Sequence, residues 1–125
     1  MILLDTCALI WSLFDSDQLS PAAKAALETD DSAVSIASLW EMAIKVNIGK
    51  LKLSKSITQI AELCERAKIE ILPITPEECE ALQQLPFLHK DPFERIIMAQ
   101  AMTLAVPIVT EDEMIWKYGS VDKIW

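Results

Sequence analysis

Apolar residues fall in short runs separated by longer stretches of helical period. Ile2–Leu4 is an apolar run closed by Asp5, Cys7–Phe14 reads as a helix, and Asp15–Gln18 as a break. Ser20-Pro21 sets a capping serine before a proline at the first helical position, which predicts a short helix over Pro21–Glu28 that Asp30-Asp31 ends. Ala33–Ile36 reads as a second strand. Ser38 then offers a cap for a helix over Leu39–Ile48 that Gly49 terminates, which puts Glu41 in its first turn. A helix over about Ser56–Lys68, a strand over Glu70–Leu72 and a turn at Pro73–Thr75 follow. The next helix starts near Pro76 and ends around Leu85, because Pro86 biases its predecessor away from helical geometry. His89–Glu94 opens a long helix reaching about Leu104, Val106–Thr110 reads as a buried strand, and Met114–Trp125 offers a short helix and one edge strand.

Short apolar strands alternating with helices imply an α/β fold whose mostly parallel sheet is covered on both faces. The 125 residues suffice for one compact domain, so a single domain over 1–125 is expected. In such sheets ligands bind beyond the carboxyl ends of the strands. Asp5 and Asp112 each follow a strand, and that rule brings them to one crevice despite their separation in sequence.

Composition narrows the function. A hydrophobic share of 52% with only two glycines marks a helix-rich globular chain. Cys7, Cys64 and Cys79 are odd in number and widely spaced, which suggests neither a disulfide framework nor a zinc site. The opening MILLD has no basic segment before its apolar run, and no apolar stretch approaches the ~20 residues of a membrane span. A cytoplasmic protein with no membrane partner is expected. The formal charge of −8 argues against a general nucleic-acid coat, so any contact with phosphates must use a local patch. Met42–Ala61 carries Lys45, Lys50, Lys52 and Lys55 without an acid, and is either that patch or a solvated surface.

Four places set a carboxylate where this topology opens a cleft: Asp5, Glu41, Asp91 with Glu94, and Asp112. Converging carboxylates repel, and burying them is costly unless a cation or protons neutralise them. Hard oxygen ligands select Mg²⁺ or Mn²⁺, whose chemistry suits phosphodiester hydrolysis. Each acid also has a structural reading. Asp5 suits a helix cap, and Glu41 lies four residues before Lys45, a helical ion pair. Asp91-Pro92-Phe93-Glu94 matches a capping box with proline at the first helical position. Asp112 lies within Glu111-Asp112-Glu113, which suits a helix N-terminus. The lone His89 reads as a surface or RNA-contacting residue, Cys7 as a small apolar packing group, and the four tryptophans as core or interface anchors.

Leu3-Leu4-Asp5-Thr6, Val34-Ser35 with Ser38-Leu39-Trp40-Glu41, Ile44-Lys45 and Gly49-Lys50-Leu51 occur in that order. After them come His89-Lys90-Asp91-Pro92-Phe93-Glu94-Arg95 with Ala99-Gln100-Ala101, then Val109-Thr110-Glu111-Asp112. Together these pieces resemble the PIN-domain family, and in particular its VapC-type toxin branch, over essentially the whole chain.

The resemblance implies a three-layer α/β/α sandwich and a Mg²⁺- or Mn²⁺-dependent endoribonuclease, the toxin of a type II toxin–antitoxin module. Carried over by position, the catalytic and metal-binding acids are Asp5, Glu41, Asp91 or Glu94, and Asp112. Lys45, Lys50, Lys90 and Arg95 would position the RNA substrate. Relatives of this branch usually carry aspartate where this chain has Glu94, one methylene longer, which leaves open a catalytically impaired module that binds antitoxin or RNA without cutting. A cognate antitoxin and a homodimer are the implied protein partners, with apolar faces near Leu9–Phe14 and Leu39–Ile48 as their surfaces. A phospho-acceptor signalling domain fits poorly, because Asp5 has no adjacent acid and no lysine follows a late strand.

Overall fold

The computed structural model describes residues 1–125. β1 (Ile2–Leu4) runs into α1 (Thr6–Phe14), and a 3-10 turn (Ser16–Gln18) leads to α2 (Pro21–Thr29). β2 (Ser32–Ser35) feeds α3 (Ile36–Asn47), and a loop carrying the exposed Lys50, Lys52 and Lys55 joins it to α4 (Ile57–Arg66). β3 (Ile69–Leu72), α5 (Pro76–Gln83), α6 (Pro92–Leu104), β4 (Ile108–Val109), α7 (Glu113–Trp116) and β5 (Lys123–Ile124) follow. No helix is long and apolar enough to cross a membrane.

The strands form one sheet in the order β3-β2-β1-β4-β5, and every pairing is parallel, the tail strand β5 included. Strands of such a sheet are buried on both faces and therefore read as continuous apolar runs. In β1, Ile2 and Leu4 enter a core with Ala8 and Leu9 of α1, Ala23 of α2, Met42 of α3 and Ile60 of α4. Leu3 enters the other core, with Ile97 and Met98 of α6, Ile115 of α7 and Tyr118. Val34 and Val109 join the first core; their neighbours Ala33 and Ile108 join the second. The result is the three-layer α/β/α sandwich.

Helix starts are set by side-chain caps. Asp5, Ser20, Ser35, Ser56, Thr75, Asp91 and Asp112 each accept a backbone N–H of the helix that follows. Such caps are each worth about 1 kcal/mol. One expectation changes here. The sequence offers Ser38 as the cap of α3, whereas Ser35 does that work, its hydroxyl accepting from Ala37 at 3.0 Å. The helix starts three residues earlier than expected, so Glu41 lies in its second turn and Ser38 is free to turn inward.

The chain leaves β1 toward β2 on one side and reaches β4 on the other, so the order reverses between β1 and β4. The crevice at such a reversal, beyond the carboxyl ends of the strands, is the usual ligand position in open α/β sheets. Asp5 follows β1 directly and Thr110 follows β4 directly, both buried.

Candidate active site

Asp5 is 4% exposed and caps α1, its Oδ1 accepting the Ala8 N–H at 2.8 Å. Burial pushes its carboxyl up to about 6 against the pull of the Thr110 hydroxyl and the Ala8 N–H, with Asp112 and Glu41 adding repulsion. The neighbouring Thr6 reaches across to α3 and donates to Glu41 Oε1 at 2.7 Å, while its oxygen lies 2.9 Å from the Ser38 hydroxyl. The other oxygen of Glu41, Oε2, receives Lys45 Nζ at 2.6 Å. Glu41 is thus buried with both oxygens engaged. Lys45 is raised above its ordinary value chiefly by that hydrogen bond.

The capping box expected at Asp91–Glu94 is only half made. Asp91 caps α6, its Oδ1 accepting from Phe93 at 2.8 Å and from Glu94 at 3.4 Å. Glu94 sends nothing back to the Asp91 N–H, which instead donates to His89 Nδ1 at 3.1 Å. Glu94 is 8% exposed, and its Oε2 is buried without a partner. Burial first, then the charges of Asp5, Glu41, Asp91 and Asp112, push its carboxyl up to about 9. Asp91 thus caps α6 through Oδ1, as Asp5 and Asp112 cap their helices, while Glu94 makes no return bond and lies among the other acids.

Asp112 caps α7 through Oδ1, which accepts from Met114 at 2.8 Å, and its own N–H donates to Thr110 Oγ1 at 3.0 Å. Its Oδ2 lies 2.9 Å from His89 Nε2. Of the two sequence readings of His89, surface or RNA-contacting, the first does not hold: only 12% of its side chain is exposed. Thr6 and Thr110 join the site without any role read from the sequence, as do Ser38, read there only as a helix cap, and His89, read as a surface or RNA-contacting residue. The signal for three of them was adjacency to an acid: Thr6 beside Asp5, Ser38 one helical turn before Glu41, and Thr110 two residues before Asp112.

The basic residues divide. Lys50 and Lys90 are exposed and free to meet a polyanion, and Lys45 is half-buried on Glu41. Arg95, expected to position RNA, turns inward. Its guanidinium donates to the Pro86 carbonyl at 3.0 Å and the Leu85 carbonyl at 3.4 Å, and lies 4.9 Å from the centre of the Phe87 ring. It shapes the loop before α6. Cys7 is also corrected: it is surface-exposed, not packed. Partial desolvation and the charges of Asp5, Glu94 and Glu41 push its thiol up to about 11. Of the tryptophans, Trp11 meets Trp125 in a tilted pair at 5.7 Å, while Trp40 is 60% exposed and makes a T-shaped pair with Phe93.

The surface hollows of the molecule lie elsewhere, so the acids define a charged crevice and not a ligand-sized cavity. Nor do three acids converge into a ready-made coordination shell. The donor set nevertheless suits a hard divalent cation. It is all carboxylate oxygen, the groups repel one another, and the Glu94 Oε2 has no partner within the chain. Asp5, Glu41, Glu94 and Asp112 are the residues that could hold one.

A family model described as the PIN domain matches residues 2–120. No curated protein matches the chain. Among solved structures, VapBC2 from Rickettsia felis bound to a promoter DNA fragment is similar at a TM-score of 0.70 and 15% identity, covering 98% of this chain and 97% of that one. A toxin–antitoxin complex from Klebsiella pneumoniae matches at a TM-score of 0.63 and 21% identity, over 97% and 95% of the two chains. The Sarcin-Ricin loop cleaving toxin VapC20 of Mycobacterium tuberculosis matches at 0.59 and 13% identity, over 98% and 99%. At these identities the likeness concerns the fold. The family match spans nearly every element described above, from β1 through α7, and on that ground the chain belongs to the PIN-domain family.

Proposed function

We propose that this chain is a divalent-cation-dependent endoribonuclease acting as one PIN unit over residues 1–125, and the toxin of a toxin–antitoxin pair. The observation that carries the reading is the unpartnered, buried Oε2 of Glu94 facing the charges of Asp5, Glu41 and Asp112. A structure that served folding alone would gain by pairing or removing that carboxylate. Asp5, Glu41, Glu94 and Asp112 hold the cation. Bound there, Mg²⁺ or Mn²⁺ supplies Lewis-acid polarisation of a phosphoryl oxygen and lowers the pKa of a coordinated water.

The chain's own residues arrange the pocket around that function. Thr6, itself in contact with Ser38, fixes Glu41, and the caps at Ala8 and Met114 fix one oxygen of Asp5 and of Asp112. The exposed Lys50 and Lys90, with Lys45 at the edge of the pocket, give local positive charge to a chain of net charge −8. Phosphate contacts of this kind hold a strand in place without reading its sequence. Ile36, Trp40 and Ile44 of α3 and its C-cap residue Ile48 recur every four residues, and all are exposed. That apolar stripe suits a protein partner, either the antitoxin or a second copy. The solved toxin–antitoxin complex from Klebsiella pneumoniae shares the fold and motivates the antitoxin.

One observation favours a second reading, a PIN module that binds without cutting. Both oxygens of Glu41 are already engaged, by Thr6 and by Lys45, so a cation must compete with an internal lysine. The two readings separate in one assay: purified chain and its Asp5→Asn variant are incubated with tRNA, rRNA and mRNA in Mn²⁺, in Mg²⁺ and in chelator. Cleavage that needs the metal and disappears in Asp5→Asn is expected. Equal inertness of both across all substrates rules out catalysis and leaves the binding module.

A further inference from the structure

His89 is tied at both ring nitrogens. Its Nδ1 accepts the Asp91 N–H at 3.1 Å, which requires that nitrogen to be unprotonated. In the neutral ring the proton then sits on Nε2, which donates to Asp112 Oδ2 at 2.9 Å. The two groups it joins belong to different acid-bearing elements. Asp91 starts α6, three residues before Glu94, and Asp112 starts α7. One ring therefore links the backbone that sets Glu94 to the carboxylate of Asp112.

The loop presenting His89 is itself pinned. The Tyr118 hydroxyl accepts from the backbone N–H of His89 at 2.8 Å and of Leu88 at 3.0 Å, and donates to the Pro86 carbonyl at 2.7 Å. Arg95 adds its bonds to the Leu85 and Pro86 carbonyls. These contacts explain why an aromatic twenty-nine residues away and an inward arginine converge on a stretch without regular structure. They hold the imidazole in place.

We propose that His89 is a positioning residue: by donating from Nε2 it fixes the orientation of the Asp112 carboxylate, whose other oxygen caps α7, and so shapes the cation site that the functional reading above assumes. A neutral donor leaves the charge of Asp112 available, unlike Lys45, which neutralises Glu41. Groups that orient ligands in this way typically change metal affinity or activity by roughly 10–100-fold when removed.

Two measurements on the full chain test this. The first is imidazole ¹⁵N NMR without metal, expected to show an unprotonated Nδ1 and an Nε2–H signal that moves upfield when Asp112→Asn replaces the charged acceptor. A ring protonated at Nδ1, or an Nε2–H signal indifferent to Asp112→Asn, overturns the proposal even if no His89 variant folds. The second is Mn²⁺ titration of wild type, Asp5→Asn, His89→Ala, His89→Asn and His89→Gln, with thermal melts confirming the fold of each. Glutamine places its amide nitrogen near Nε2, and asparagine places an acceptor near Nδ1 only. Affinity about tenfold weaker in His89→Ala and His89→Asn, and largely recovered in His89→Gln, is expected. Unchanged affinity in His89→Ala, or equal recovery by asparagine, overturns the positioning role while Asp5→Asn still tests the metal site. Absence of Mn²⁺ binding in wild type and Asp5→Asn alike overturns the metal reading first, and this inference with it.

Discussion

Glu41 and Glu94 enter the same crevice from two helices, α3 and α6, and their charges are handled in different ways. Glu41 has a hydroxyl on one oxygen and a lysine on the other, both from within the chain. Glu94 is comparably buried but has a bare oxygen and four acidic neighbours. A buried carboxylate with donors stays charged at modest cost; one without them takes up a proton or requires a cation. The α3 wall is thus complete in itself, and the α6 wall is completed from outside. The contrast locates the demand for a ligand at one atom, Glu94 Oε2.

The sharpest test of that contrast is chemical. Glu94→Gln keeps the shape and removes the charge that a cation needs. If the cation supplies several kcal/mol of transition-state stabilisation, cleavage should fall on the order of a thousandfold. Glu94→Asp restores the charge but withdraws the carboxylate by about an ångström, a misplacement able to cost up to roughly a hundredfold. Single-turnover RNA cleavage in Mn²⁺ ranks the variants. A Glu94→Gln enzyme as fast as wild type would move the demand away from this wall.

A second test uses pH. Because Glu94 is pushed up to about 9 from an ordinary 4.5, the folded protein holds a proton there that the unfolded chain has lost. The associated stability is fully present below about pH 4.5 and is lost as pH rises toward 9. Asp5, pushed up to about 6, adds to the early part of that loss. Urea melts in chelator should therefore show stability declining from pH 5 to 9, and a flatter profile in Glu94→Gln. Mn²⁺ replaces the proton, so its Kd should be lower at pH 8 than at pH 6, and at one fixed Mn²⁺ concentration, chosen near 100 Kd at pH 8, the stabilisation should be about 2.7 kcal/mol there and smaller at pH 6.

The α6 wall also depends on the loop before it. Tyr118→Phe leaves the Leu88 and His89 N–H groups without their shared acceptor, while the Pro86 carbonyl keeps its bond from Arg95. Leaving such half-buried groups unpaired costs roughly 1–3 kcal/mol. Chemical denaturation should show that loss, and Mn²⁺ affinity should weaken with it through His89. A stability loss with unchanged Mn²⁺ affinity would separate the loop from the acids.

What could be read from the sequence follows from the range of the interactions. Ile2–Leu4 before Asp5, Ser20-Pro21 and Asp91-Pro92 announce their elements through neighbours alone, and each element stands where expected. The start of α3 does not, because Ser35 and Ser38 are both competent caps, and the choice depends on where β2 stops pairing with β3. Asp5 and Asp112 were legible as the end of a strand and the start of a helix, whereas Glu41 lies a turn further into α3 than its pattern suggested. The fate of Glu94 was not legible: a capping box and a pocket acid look alike until Asp91's N–H is seen to go to His89. Arg95 misled for a related reason. Its partners are backbone carbonyls, which no residue pattern displays.

The smallest expected effect tests the complete wall. Lys45→Met removes the cation that Glu41 already has, while keeping the aliphatic stem. The Lys45 side chain is 44% exposed, so solvent screens the pair and its loss should cost no more than about 1 kcal/mol. Glu41 is then left with Thr6 alone, and its uncompensated charge joins that of its neighbours. The stabilisation that Mn²⁺ confers should accordingly be greater in Lys45→Met than in wild type, because one internal competitor is gone. Thermal melts with and without Mn²⁺ measure both quantities. A variant that loses several kcal/mol yet gains nothing more from Mn²⁺ would mean that Lys45 is a structural partner of Glu41, as buried in effect as the acid itself, and that the cation is held without Glu41.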